Sequence, residues 1–477
     1  MNSSQAAIAA VLLFACVPVH ADDQAFREEV TAAMKRAADF YRHEVASHGG
    51  YVYFYSLDLE QRWGEGVATK DQIWVQPPGT PTVGLAFVEA YKATGDADYL
   101  DAATAAAETL VYGHLKSGGW TNCIDFDPQG ERSADYLNGK GRGKNYSSLD
   151  DGQTQSALRL LIAVDEAHEF KHAAIHQSAT IALDALLAAQ FPNGAFPQVW
   201  EGPVEPQPIL PASYPDYDWR TEGRIKEYWN MYTLNDNVCG YVAQALVDAH
   251  RVYGDERYLD ALRKLGDFLV LAQMPNPQPG WAQQYNYQMQ PIWARKFEPA
   301  AIASDESQET IATLCLIAEM TGDQKYLQPI PKALAYLEQS LLPDGRLARY
   351  YELQTNRPLY MTRRGRAYEL TYSDTNLPDH YGWKVESQLA ELKQRYNSVR
   401  RGDKAKPELV ARETVQQIID DLDDKGRWVS TYDGQPLVGQ AKMTRGDKYL
   451  SSEQFSRNLT AMSKLLQRPV IRPPRRR

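Results

Sequence analysis

Residues 94–100 read Thr-Gly-Asp-Ala-Asp-Tyr-Leu, and the same punctuation returns at 253–259 as YGDERYL and at 321–327 as TGDQKYL. Glycine followed by aspartate marks a chain that stops one helix and starts another. The glycine accepts a left-handed turn, and the aspartate receives the free N–H groups of the next helix. The flanking runs have helical periodicity: Phe87, Ala90 and Tyr91 fall on one face, as do Leu158, Leu161, Ile162 and Asp165, and Leu183, Leu186 and Leu187. The stretch 168–172 (HEFKH) occupies the matching place in another unit, without the glycine.

A second mark alternates with the first. Glycine-bearing turns followed by an aromatic or long side chain occur at Gly50-Tyr51, Gly119-Trp120, Gly194 before Phe196, Gly280-Trp281, Gly345-Arg346 and Gly426 before Trp428. They recur at intervals of roughly 65 to 85 residues, room for one helical hairpin each. Glycine in these turns is expected to supply the left-handed cap that ends a helix. Neither helix of such a hairpin can bury its apolar stripe alone, so successive hairpins must stack. The predicted fold is all-α: an α/α toroid of about six helical hairpins, with a few short β pieces at one rim, over 51–56 and 347–353. Inner-helix starts and glycine turns would share that rim. A closing helix is expected near 451–466, and 202–223, with five prolines, reads as an inserted loop. The domain spans 22–466 as one unit.

Composition narrows the function. The 477 residues carry a formal charge of -10, which argues against a nucleic-acid partner, and 29 Tyr with 10 Trp suit carbohydrate. Residues 1–21 resemble a signal peptide ending Val19-His20-Ala21, so a periplasmic or secreted protein is expected, with no membrane span. Cys123, Cys239 and Cys315 are far apart and lack zinc spacing, so buried free thiols are expected. The basic end, 467–477, reads as a solvated, disordered tail. A monomer is expected.

The chemistry concentrates in residues 280–299, GWAQQYNYQMQPIWARKFEP. Aromatic faces beside the adjacent cations Arg295 and Lys296 suit a sugar ring carrying a carboxylate, with Trp281 as a platform. The structural alternative is a packed loop whose tryptophans plug a helix end. Acidic residues stand before two helices, in 145–154 (NYSSLDDGQT) and 233–237 (TLNDN). Taken singly, such aspartates are helix caps. In a ring of hairpins, however, Asp150, Asp151 and Asp236, flanked by Asn235 and Asn237, would face one cleft as an all-oxygen set suited to Ca2+. Arg349, Arg357, Arg363, Arg364 and Arg366, interleaved with Tyr350, Tyr351 and Tyr360, can fork onto carboxylates.

Taken together, SGGWTNCIDF (117–126), SLDDGQT (148–154), AAQFPNGAFPQ (188–198), TLNDN, the GWAQQ and WARKFEP ends of 280–299, and ARYYELQTNRP (348–358) resemble the pectate lyases of polysaccharide lyase family ten, across roughly 118–383. The resemblance implies an α/α helical-repeat catalytic domain that needs Ca2+ and cleaves polygalacturonate by β-elimination. It places Asp150 and Asp236 at the calcium and Arg295 as the base. Arg357 falls in the substrate-binding region, where Tyr351 and Arg363 join it. The chain departs from that pattern at Asp151, where Asn is usual, at Ala195-Phe196, and at 377–383, where His380 stands in for an arginine.

Elimination removes the proton on C5 and expels O4. A neutral guanidine at about pH 9 costs roughly 5 kcal/mol, so an alkaline optimum is expected of Arg295; Lys296 loses its proton more readily when desolvated. Two rival readings stand beside the lyase. One is an α/α-toroid glycoside hydrolase using Asp150 and Asp236 as acid and base, which would survive chelation. The other is a non-catalytic uronate-binding protein.

Overall fold

The computed structural model describes residues 19–220, 225–404 and 409–467. Twelve α-helices are formed among them: α1 (Val19–Phe40), α2 (Thr80–Thr94), α3 (Ala97–Tyr112), α4 (Gln153–Ala167), α5 (Ala173–Ala188), α6 (Val238–Tyr253), α7 (Glu256–Leu271), α8 (Ser304–Thr321), α9 (Ile330–Gln339), α10 (Leu389–Arg401), α11 (Arg412–Asp420) and α12 (Ser452–Leu466). The closing helix lies where the sequence placed it. The expected leader falls mostly on residues 1–18, outside the described residues, and α1 starts at its last three positions. Residues 468–477 of the expected tail are outside as well.

Even-numbered helices pack in succession: α12 against α2, α2 against α4, α4 against α6, α6 against α8, and α8 against α10. The odd-numbered helices lie on them as an outer layer. The apolar stripes meet between the layers, where Leu158, Leu161, Leu183, Leu186, Leu246 and Leu265 are all fully buried.

The first punctuation mark does what its chemistry predicts. Gly95, Gly254 and Gly322 end α2, α6 and α8 in the left-handed conformation. Asp96 and Asp255 then accept backbone N–H bonds at the starts of α3 and α7, and Asp323 does so at a short 3-10 turn before α9. The second mark does something else, which corrects the expectation that it caps helices. Helix α3 is over by Tyr112, well before Gly118, and α5 by Ala188, well before Gly194. These glycines instead let the turn press on the next outer helix. A Cβ on Gly194 would lie 1.8 Å from the Lys264 carbonyl of α7, and one on Gly426 would lie 2.4 Å from the Arg36 carbonyl of α1.

The tryptophan that follows such a turn caps the outer helix. Trp120 Nε1 donates to the Leu110 carbonyl, Trp281 Nε1 to Leu269 and Trp428 Nε1 to Ile418, at 2.7–2.8 Å. Each indole thereby satisfies a carbonyl that the ending helix leaves open.

Short strands stitch the rim. The segment before an inner helix pairs antiparallel with the segment after the next glycine turn: Gln72–Trp74 with Cys123–Asp125, Ser147–Ser148 with Val199–Trp200, Tyr232–Thr233 with Gln284–Tyr285, and Ile302–Ala303 with Tyr350–Tyr351. Phe54–Ser56 pairs with Lys448–Ser451, which joins the last hairpin to the first. A hairpin of Pro358–Arg364 with Ala367–Thr371, not foreseen from sequence, stands beside this rim. The described part of the proline-rich loop, 202–220, holds no helix or strand. All three described cysteines are buried free thiols, and no described helix is long and apolar enough to cross a membrane.

Candidate active site

The starts of α4 and α6 are built alike. Each is preceded by a one-turn 3-10 segment, Asp150–Gly152 and Asn235–Asn237, and these two segments touch. In each an aspartate takes a left-handed backbone, Asp151 at φ 46° and Asp236 at φ 51°. Aspartate is among the few side chains that tolerate this region, and strain kept at such a place marks a functional hypothesis. The carboxyl groups bond side chains: Gln198 at Asp150, Gln76 at Asp151 and Asn235 at Asp236.

Arg295 completes the cluster from the tryptophan-rich stretch. Its Nη2 lies 2.6 Å from Glu298 Oε1 and 3.6 Å from Asp236 Oδ2. Its backbone N–H donates to Glu298 Oε2 at 3.0 Å, so the turn 295–298 closes on its own carboxylate. Glu298 is buried and also receives Gln283 Nε2 and the Tyr381 hydroxyl, each at 3.2 Å. Gln283 in turn bonds Asn235, and its Oε1 accepts from Tyr350. On the other side, Gln198 donates to Asp150 Oδ1 at 2.6 Å and Gln76 to Asp151 Oδ2 at 2.9 Å.

Crowded acids leave an electrostatic imprint. Burial, with Asp150 and Glu65 nearby, pushes the Asp151 carboxyl up to about 6, against the opposing pull of Arg295. Burial and the charges of Asp151 and Asp150 raise Asp236 well above the usual carboxylate range. Burial works against the Arg295 charge, yet Glu298 and Asp236 hold its guanidinium above its ordinary value. Further along the same rim, burial pushes Glu306 up to about 7, with Arg349 opposing, and also raises Glu309. Arg349 is clamped at 3.2 Å by both Asp305 and Glu306 and lies over the Tyr381 ring.

Asp150, Asp151 and Asp236 are the residues that could hold a hard cation. Asp150 Oδ2, Asp151 Oδ1 and Asp236 Oδ1 have no hydrogen-bond partner among the described residues, and like charges held together are relieved by a divalent ion. Among the described residues no group of three or more His, Cys, Asp or Glu side chains is arranged to hold a metal ion by itself.

The structure brings Asp150, Asp151, Asp236 and Arg295 together and leaves other expected residues out. Trp281 is fully buried with its indole on Leu269, so it is no sugar platform; the packed-loop alternative describes it. Tyr351 is 1 % exposed, and its hydroxyl is spent on the Ser340 carbonyl. Asn235 is buried beneath Asp236, and its amide donates to that carboxylate; Asn237 folds back over the first turn of α6, against Gly240. These four act as packing or support rather than as groups facing a ligand. Lys296 is exposed while its neighbour turns inward. Arg357 is exposed, with its guanidinium 3.5 Å from the centre of the Tyr372 ring. Arg363 is exposed beside Tyr368, whose hydroxyl reaches His380 at 3.1 Å; His380 packs on Phe297, under Arg295.

Sequence reasoning did not single out Glu298, Gln283, Gln76 or Tyr381. Glu298 was the most findable: it stands three residues after Arg295 inside a quoted motif, the spacing of a turn that bites its own carboxylate.

The sequence model of pectic acid lyase matches residues 115–344. No curated protein sequence matches the chain. Among solved structures, the chain is similar to a mutant family 10 polysaccharide lyase from Cellvibrio cellulosa in complex with trigalacturonic acid. Identity is 18%, with a TM-score of 0.46 over 68% of this chain and 98% of that one. It is also similar to cellobiose 2-epimerase from Bacillus thermoamylovorans (14% identity, TM-score 0.48, 94% and 100% covered) and to a D-mannose isomerase (14%, 0.45, 93% and 98%).

Proposed function

We propose that the chain, whose residues 115–344 match the pectic acid lyase model, is a polysaccharide lyase that cleaves polygalacturonate by Ca2+-dependent β-elimination and releases 4,5-unsaturated oligogalacturonates. The observation that carries the reading is the meeting of Arg295 with Asp236, 3.6 Å apart, beside Asp150 and Asp151. The reading takes the ring of hairpins as a closed α/α toroid and, from the leader-like residues 1–21, the protein as exported.

In this reading Asp150, Asp151 and Asp236 hold the cation. Bound there, it would neutralise the uronate carboxylate, make the C5 proton more acidic and draw negative charge away from Arg295. Arg295 is the group assigned to take that proton. Its partners make the task harder in the resting site, because two carboxylates favour the charged guanidinium. The surrounding network relieves part of this. Glu298 keeps the Gln283 and Tyr381 donors when Arg295 turns toward a substrate, so it is not left buried and unpaired. Oxygen O4 leaves as the C4–C5 double bond forms, and solvent supplies its proton.

The test is polygalacturonate turnover with and without Ca2+, read as ultraviolet absorbance of the unsaturated product. Product that forms only with Ca2+, most rapidly at alkaline pH, is expected. Reducing ends released without unsaturation, or turnover undiminished in EDTA, would sink the reading.

A further inference from the structure

A cleft of about 1100 Å3 opens beside the acid cluster and runs on past it. Asp150, Glu65, Ser148, Gln153 and Gln198 line it near the cluster. Beyond them its surface comes from two stretches of chain. One, at 132–146, brings Arg132, Lys144 and Tyr146. The other, at 199–205 and 227–230, brings Glu201, Glu205, Glu227, Tyr228 and Trp229. Resting on the lyase reading for the acid cluster, we propose that this outer arm is a further binding site for one uronate residue of the chain. Its pyranose ring stacks on Trp229 and its carboxylate turns to Lys144.

Three observations support the assignment. First, Trp229 is 38% exposed on the cleft, whereas Trp74, Trp120 and Trp281 are fully buried. An open indole offers a sugar ring an apolar face at little conformational cost. Tyr228 meets its edge at 5.2 Å between ring centres, and Tyr287 holds the Asn230 carbonyl next to it at 2.9 Å, so the platform is braced. Second, the side-chain charges of Lys144 and Arg132 face neutral groups, while the Arg132 backbone N–H donates to Asp125 Oδ2 at 3.3 Å. Lys144 lies 3.2 Å from the Tyr146 hydroxyl, and Arg132 lies over the Trp74 ring at 4.9 Å. Among the described residues neither side chain has an ion-pair partner, so both charges are free to meet an anion. Third, Glu201, Glu205 and Glu227 likewise have no ion-pair partner among the described residues and are exposed. A uronate carboxylate is repelled by one stretch and attracted by the other, which fixes which way round the sugar lies.

Binding should be measured by titration calorimetry in Ca2+, in an Arg295→Ala background, with trigalacturonate, hexagalacturonate and its methyl ester. Adding Trp229→Ala should weaken the hexamer about tenfold and leave the trimer within about twofold. Adding Lys144→Gln should weaken the free-acid hexamer and spare the ester, and Glu227→Gln should tighten the free acid. Trp229 is a surface side chain, and Trp229→Tyr should recover most of the loss. Absence of hexamer binding, a Trp229→Ala effect equal on both lengths, or a Lys144→Gln effect equal on acid and ester would overturn the proposal. Unsaturated product still formed by the Arg295→Ala background would break the base assignment of the preceding section, while the arm's comparison, made within that background, still stands.

Discussion

Residues 280–285 and 293–298 belong to one aromatic-rich connection, yet they do opposite things. In the first half Trp281 is fully buried, its indole caps α7, its backbone N–H takes Ser307 Oγ, and Gln284 and Tyr285 enter a strand pair. In the second half the chain leaves the repeat, turns on Glu298 and carries Arg295 to the acids. The first half recurs elsewhere: Trp120 and Trp428 repeat the indole cap, and the Trp120 N–H takes Thr154 Oγ from the start of α4. Of the second half, the pairing of Arg295 with Asp236 occurs once among the described residues. In a repeat protein, what recurs is committed to stacking one hairpin on the next; what occurs once is available for chemistry.

Substitutions should separate the halves. Arg295→Lys keeps a cation beside Glu298 but loses the fork, and kcat/KM on polygalacturonate should fall by about 100- to 1000-fold with Tm nearly unchanged. A near-normal rate at neutral pH would remove Arg295 from the role of base. Glu298→Gln should cost about tenfold in kcat, since Arg295 loses the carboxylate that orients it, and less in KM. Trp281→Phe should invert the pattern. Losing the indole donor leaves the Leu269 carbonyl open and a small void, worth about 2 kcal/mol, so Tm should drop by several degrees while kcat/KM stays within about twofold. If Trp281→Phe instead changed kcat at constant Tm, the division between the halves would fail.

The repeat was legible because its signals are local. A glycine and an aspartate at a fixed spacing from Tyr99, Tyr258 and Tyr326 specify a turn and two helix ends without reference to anything distant. The role of Gly194 and Gly426 was not legible, because their constraint is a neighbouring helix's carbonyl, remote in sequence. Asp150, Asp236 and Arg295 could be gathered by motif order and by their matching places in neighbouring units. Tyr351 and Trp281 were misjudged for one reason. Aromatic side chains serve sugar faces and helix ends equally well, and only burial tells them apart. Gln76 and Tyr381 reach the acids from far along the chain, and nothing local to either distinguishes them from surface residues.

The smallest effect sharpens the comparison on its acidic side. Asp151 titrates at about 6 in the folded protein, against about 3.9 in an unfolded chain. The folded state therefore binds this proton more tightly, and stability falls as pH rises between those two values. The penalty is absent below about pH 4 and complete above about pH 6. Asn tolerates the left-handed backbone that Asp151 adopts, and its amide oxygen can keep the Gln76 bond. Asp151→Asn should thus stabilise the Ca2+-free protein by about 1 kcal/mol at neutral pH, with the gain shrinking toward pH 4. In saturating Ca2+ the sign should reverse, because the same charge that strains the empty cluster serves as a ligand. Thermal unfolding at two pH values, with and without Ca2+, measures all four corners. A gain that persisted at pH 4 would mean that Asp151 costs stability through its backbone and not its charge, which would leave the acid cluster without its clearest electrostatic signature.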